Sequence, residues 1–111
     1  MNQTDQLHLP APVQAELLSS HRRCLLLVTL AEVEEATVDD LAVRISAAER
    51  GIDPGAVDDA QRVSIRDEIF ELHLPKLTAT EVVEYDSLLG KVRLLEPAIA
   101  ARARAVLSED M

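Results

Sequence analysis

Apolar positions recur along this chain at helical spacing for most of its length and change to a strand-like pattern only once, near residue 82. The segment VQAELL has room for a turn or two of helix, with Pro12 suited to a first helical position. HRRCLLLVTLAEVEE follows, with Ser19 or Ser20 as its N-cap. It is apolar around most of its circumference from Cys24 to Ala31, which predicts a central buried helix. Thr37 then caps VDDLAVRISAAER, where Asp39 and Asp40 meet the positive end of the helix dipole. Its apolar stripe is Val38, Leu41, Ile45 and Ala48, and Gly51 ends it. Asp53-Pro54-Gly55 reads as a turn or a single helical turn capped by Asp53.

A third long helix starts at Asp58 or Asp59. At about 100° per residue, Val63, Phe70, Leu74 and Leu77 share one face, expected to meet the core. A second stripe holds Arg62, Arg66, Ile69, His73 and Lys76, and Pro75 should kink or restart the helix near Leu74. Ile65, Ile69 and Leu72 add a second apolar side, which packs either on the second helix and the hairpin or on a partner. Residues 82–86 and 91–95 are rich in β-branched and large apolar side chains, with Gly90 closing the break between them, so they predict a β-hairpin. Pro97 opens a last helix, AIAARARAVL, and the SEDM tail should fray. The expected fold is mainly α with a small β-hairpin: a winged helix-turn-helix with an extra C-terminal helix. Its divisions are a loose arm over 1–12, the winged domain over 13–96, and a helix and tail over 97–111.

Composition narrows the chemistry. The 111 residues suit one domain with a modest core. Phe70 and Tyr85 are its only aromatics, so Leu, Val, Ile and Ala must build that core. Net charge is −9, and of 11 basic residues only Lys76 and Lys91 are lysines. An acidic, lysine-poor surface suits a salt-rich cytoplasm, where screening confines repulsion to about 3 Å at 1 M. Cys24 is the single cysteine, which fits a reducing compartment, and residues 1–12 lack the basic start and apolar run of a secretory signal.

The segments HRRCLLLVTL, DDLAVRISAAERG, QRVSIRDEIFELHLPKL and VVEYD together resemble a winged helix-turn-helix family common in halophilic archaea. That family is known mostly as a domain of unknown function in regulators. The likeness covers roughly residues 14–95, and HLPKL followed by VVEYD is its most specific piece. It implies a winged-helix fold and a role in transcription, and brings no ligand and no catalytic residues.

On this basis Arg62, Arg66, His73 and Lys76 form the candidate DNA-facing stripe. Arg22 and Arg23 would meet the phosphate backbone, and Lys91 and Arg93 would reach it from the wing. The opposing reading is a solvated face balanced by acids, since residues 58–76 carry three cations against five carboxylates. The alternative function is a protein-interaction module of the same fold that leaves DNA untouched, suggested by the apolar turn Ser87-Leu88-Leu89-Gly90. Ile99, Arg102, Ala103 and Val106 of the Ala-rich last helix are candidates for a homodimer interface, or for packing on their own core. His8, His21 and His73 lack metal-ligand spacing with Cys24, and no nucleophile elbow, phosphate loop or convergent carboxylate pair is present. No enzyme activity, cofactor or metal is expected.

Overall fold

A computed structural model describes residues 9–109. The predicted arm lies largely outside them, as do His8 and the last two residues of the tail. Helix α1 (Ala11–Leu17) takes up the end of the expected arm, with Pro10 at the N-cap. Helix α2 (His21–Val33) starts at Ser20, whose hydroxyl accepts from Arg23 N. Strand β1 (Glu35–Thr37) leads into α3 (Val38–Arg50), where Thr37 accepts from Asp40 N and Gly51 takes the left-handed conformation at φ 65°. After a 3-10 turn (Pro54–Ala56) comes α4 (Asp59–Glu68), capped by Asp58. A five-residue π-turn (Ile69–His73) joins α4 to α5 (Leu74–Ala79). Strands β2 (Val83–Asp86) and β3 (Lys91–Leu94) make the hairpin, and α6 (Pro97–Glu109) ends the fold.

The chain is mainly helical, with one small antiparallel sheet in the order β1-β3-β2. The sheet has one strand more than the hairpin that periodicity predicts. Glu34 ends α2 at φ 70°, and its carbonyl accepts from Leu94 N, so the three residues after it fall into register on β3. A strand of three residues is too short to leave a period-two signature. Alternation across the sheet is regular. Ala36 and Tyr85 flank Val92 on the inner side, while Glu35 and Glu84 flank Arg93 on the outer side.

Leu26, Leu27 and Leu30 of α2 are fully buried beside Leu41 and Ile45 of α3, Ile69 and Leu77 beyond α4, Val92 of β3 and Ile99 of α6. The core is thus aliphatic, and α6 lies along α2. On α3, Ala48 is exposed, and Ala42, Ser46 and Ala47 are buried instead.

The expected inner face of the third helix is corrected by the π-turn. Ile65 and Ile69 are buried with Leu74 and Leu77, whereas Phe70 is 41% exposed and Val63 is half-buried. Leu74 N donates to Ile69 O, five residues back, so the inward position slips from Ile69 to Leu74 rather than to His73 alone. Pro75 has no N–H to give to the preceding turn, and the wider turn absorbs that loss. A uniform 100° step projected from Leu74 and Leu77 back through the π-turn selects the wrong side of α4.

Candidate interaction face

The π-turn carries His73 into the interior, where it is 3% exposed and meets Arg23, 5% exposed. Arg23 Nε donates to His73 Nδ1 at 3.2 Å, and Arg23 Nη1 donates to the carbonyls of Glu16 and Leu17 at 2.8 and 3.0 Å. The guanidinium therefore caps the C-terminal end of α1, where cationic donors are favoured. With Nδ1 accepting, the imidazole proton sits on Nε2, which faces Glu68 Oε2 at 2.8 Å. Burial, helped by the charges of Arg23 and Arg22, holds the His73 pKa below its ordinary value against the pull of Glu68. Burial also lowers Arg23, which stays charged. Burial alone would raise Glu68, but hydrogen bonds from His73 and Arg22 outweigh it and hold the carboxyl low. The expectation that Arg23 and His73 face DNA is thus corrected: both are spent inside the fold, tying α1, α2 and the π-turn together.

The remaining predicted cations lie at the surface, each beside a carboxylate of its own chain. Arg22 joins Glu49 at 2.7 Å and Glu68 at 2.6 Å, and Glu49 above all raises its pKa. Arg62 is bound by Asp59 at 2.8 Å and by Asp39. Arg66 stands 3.7 Å from Asp39 and 3.6 Å from Asp67. Lys76 meets Glu16 at 2.7 Å, which lowers the Glu16 pKa through that hydrogen bond. On the outer sheet surface Arg93 joins Glu84 at 2.6 Å, and Lys91 lies 4.0 Å from Glu35. The stripe read from helical spacing is therefore interrupted at His73 and neutralised at its other members.

Between α4 and the hairpin opens a cleft of 450 Å³, lined by Thr37, Val38, Asp39, Arg66, Asp67, Phe70, Leu89 and Gly90. The Phe70 ring meets Tyr85 edge-on, with centroids 5.9 Å apart. The hairpin turn holds Leu88 at 94% and Leu89 at 63% exposure. Its shape is fixed from below: Asp86 Oδ1 accepts from Leu88 N and Leu89 N, and Gly90, at φ 67°, accepts at its carbonyl from Val38 N at 3.1 Å. Sequence periodicity hides this cleft because it assigns Phe70 to the core. The available signal was compositional: both aromatic residues of the chain fall just where the third helix meets the hairpin.

On α6, Ile99 and Ala103 are fully buried within their own chain, and Val106 packs partly against the same core, so those three serve the fold. Arg102 alone of the four dimer candidates is exposed. Cys24 is buried, with Sγ 3.4 Å from Leu18 O. Among the described residues no group of histidine, cysteine and carboxylate side chains could hold a metal ion. No described helix is long and apolar enough to cross a membrane.

Fold and surface define a small helical domain with a three-stranded antiparallel sheet and a cleft of mixed apolar and charged lining beside its hairpin. Residues 15–93 match the domain of unknown function DUF7344, and the chain belongs to that family. No curated protein and no solved structure matches it.

Proposed function

We propose that this chain is a winged-helix module that binds another protein through the face shared by α4 and the hairpin. The winged-helix reading is supported by order and topology. A helix (α2), a short strand, two helices (α3, then α4 with α5) and a hairpin follow one another, and β1 pairs with the second hairpin strand. The observation that carries the function is the use of aromatics. The chain's one Phe is left 41% exposed and meets its one Tyr, half-buried at the edge of the aliphatic core, while the exposed Leu89 lines the same cleft as Phe70. Aromatic side chains are enriched at the centres of protein interfaces.

Electrostatics favour protein over nucleic acid. Duplex DNA would approach the N-terminal ends of α3 and α4, where helices ordinarily receive phosphate. Here Asp39 and Asp40 stand in the first turn of α3, and Asp58 and Asp59 begin α4. A carboxylate about 4 Å from a phosphate costs about 1 kcal/mol in water. Salt weakens that repulsion, but it weakens equally the attraction on which non-specific DNA binding depends.

A second reading, a DNA-binding transcriptional regulator of a salt-rich cytoplasm, has one observation in its favour. Arg62 and Arg66 lie on the accessible side of α4, held by solvent-exposed carboxylates that phosphates can replace. A homodimer would serve either reading, with Arg102 on the outer side of α6 as its contact. Selection from a random duplex pool, at low and at high salt, separates the two readings. The protein-binding reading expects no enriched sequence. An enriched site lost on replacing Arg62 and Arg66 with Ala would move the function to DNA.

A further inference from the structure

We infer that a second cavity, where the end of α3 meets the start of α4, binds a small zwitterion of the amino-acid class. The cavity measures 280 Å³, with Arg22 of α2 at its side. It shares no lining residue with the Phe70 cleft, so the inference stands apart from the protein-binding reading. Two pairs of opposite charges line it, and they differ. Arg22 and Glu49 form a closed pair, with Nε and Nη2 donating to the two carboxylate oxygens at 2.7 and 3.0 Å. Arg50 and Asp58 form no ion pair among the described residues, with each other or with anything else. Arg50 has only a neutral partner, the Gln61 carboxamide. In one amide orientation the Gln61 oxygen lies 2.6–2.9 Å from the three guanidinium nitrogens. In the other it accepts from Asp58 N at 3.4 Å. One carboxamide oxygen serves one of these donors at a time, so a ligand carboxylate on Arg50 releases Gln61 to complete the cap of α4. Asp58 accepts from Gln61 N through Oδ1 at 2.8 Å, and its Oδ2 has no partner among the described residues.

A buried hydroxyl points the same way. Ser46 lines the cavity and is 1% exposed. Its hydroxyl forms no hydrogen bond with a described residue, yet no described side-chain N or O atom is sealed from solvent without a partner. Both hold only if the hydroxyl opens into the cavity. A polar group so placed favours a polar ligand atom over an apolar one. These groups select the ligand together. A ligand with one charge leaves either Arg50 or Asp58 unanswered. A carboxylate for Arg50 joined to an ammonium for Asp58 answers both through charge-assisted hydrogen bonds. The Ser46 hydroxyl can donate to that carboxylate. The apolar part of the lining is small, Ala60 and Ile65, so it suits a short side chain.

The test titrates the full, isotope-labelled chain with L-alanine, propionate and ethylamine in turn, at about 0.1 M salt. The backbone amide signals of Ser46, Gln61 and Ser64 are followed by NMR. L-alanine carries both charges, and each of the others carries one. L-alanine should give saturable shifts at these amides, and either one-charge compound should bind about tenfold more weakly or worse. Arg50→Gln and Asp58→Ser should each weaken L-alanine about tenfold. Serine keeps the N-cap of α4 while removing the charge, so Asp58→Ser separates binding from folding. Ser46→Ala should weaken L-alanine about fivefold. Arg50 and Asp58 are exposed and Ala favours helix, so all three variants should keep the helical circular dichroism of the parent. No saturable shift with L-alanine overturns the inference. So does an equal response to propionate or to ethylamine, or full affinity retained in any of the three variants.

Discussion

Arg23 donates its Nε–H to Nδ1 of His73 across 3.2 Å, joining residues fifty positions apart. That bond requires a neutral imidazole protonated on Nε2, because a protonated ring has no acceptor left for Arg23. Folding therefore excludes a proton that the unfolded chain accepts near pH 6.5. With the folded pKa lowered, the stabilisation is complete above the unfolded value and is lost as pH falls below about 6.5. Glu68, also held low, adds a second loss as the pH falls below about 4.3. Urea denaturation from pH 8 to pH 4 should show the first decline with a slope near one proton, roughly 1 kcal/mol per pH unit. His73→Gln should be less stable at pH 8 and lack that first decline. A flat profile for the parent between pH 7 and pH 5 would contradict the buried neutral imidazole.

The π-turn makes neighbouring residues respond in opposite ways. Ile69 is fully buried, and Ile69→Ala should cost about 2–5 kcal/mol. Phe70 is 41% exposed, and Phe70→Ala should cost clearly less than Ile69→Ala despite the larger side chain. Chemical denaturation of the two variants checks the order. Greater damage from Phe70→Ala would restore the uninterrupted helical phase.

Much of the fold was legible because local chemistry agreed with tertiary structure. Ser20, Thr37, Gly51, Asp53 and Asp58 sit at the helix ends where side-chain capping or a left-handed turn demands such residues. The hairpin was legible from its β-branched runs and Gly90. Two features left no periodic trace. β1 is only three residues long and exists through pairing with a strand more than fifty residues away. The π-turn shifts the helix phase by one residue inside a segment whose two apolar sides look alike. The site was less legible than the fold for the same reason. Sequence alone places Arg23 and His73 at the surface, because the Arg23 partners, the α1 carbonyls and an imidazole displaced inward, exist only after the helices pack.

The C-terminal helix offers a matched pair of substitutions. Ile99 is fully buried against α2, and Ile99→Ala should lower stability by about 2–5 kcal/mol. Arg102, exposed on the same helix, should tolerate Ala within about 0.5 kcal/mol. Thermal melts at several protein concentrations test whether Arg102 has a second role: a midpoint that rises with concentration in the parent and not in Arg102→Ala would place it in a subunit contact.

Thr37 connects fold and site. Its hydroxyl caps α3 by accepting from Asp40 N, and the next residue, Val38, donates to Gly90 at the hairpin. Thr37→Ala should lower global stability by about 1 kcal/mol. It should also speed amide exchange at Val38, Leu89 and Gly90 beyond what global unfolding explains. Unchanged exchange there would mean that the hairpin does not depend on this cap.

The central claim is that the α4–hairpin face meets protein. A photo-cross-linking amino acid in place of Leu88, 94% exposed at the tip, reports what lies there in cells. Illumination should give a discrete protein adduct, retained after nuclease treatment and lost when Phe70→Ala is added. A nuclease-sensitive adduct that survives Phe70→Ala and disappears on replacing Arg62 and Arg66 would place nucleic acid at this face and contradict the account.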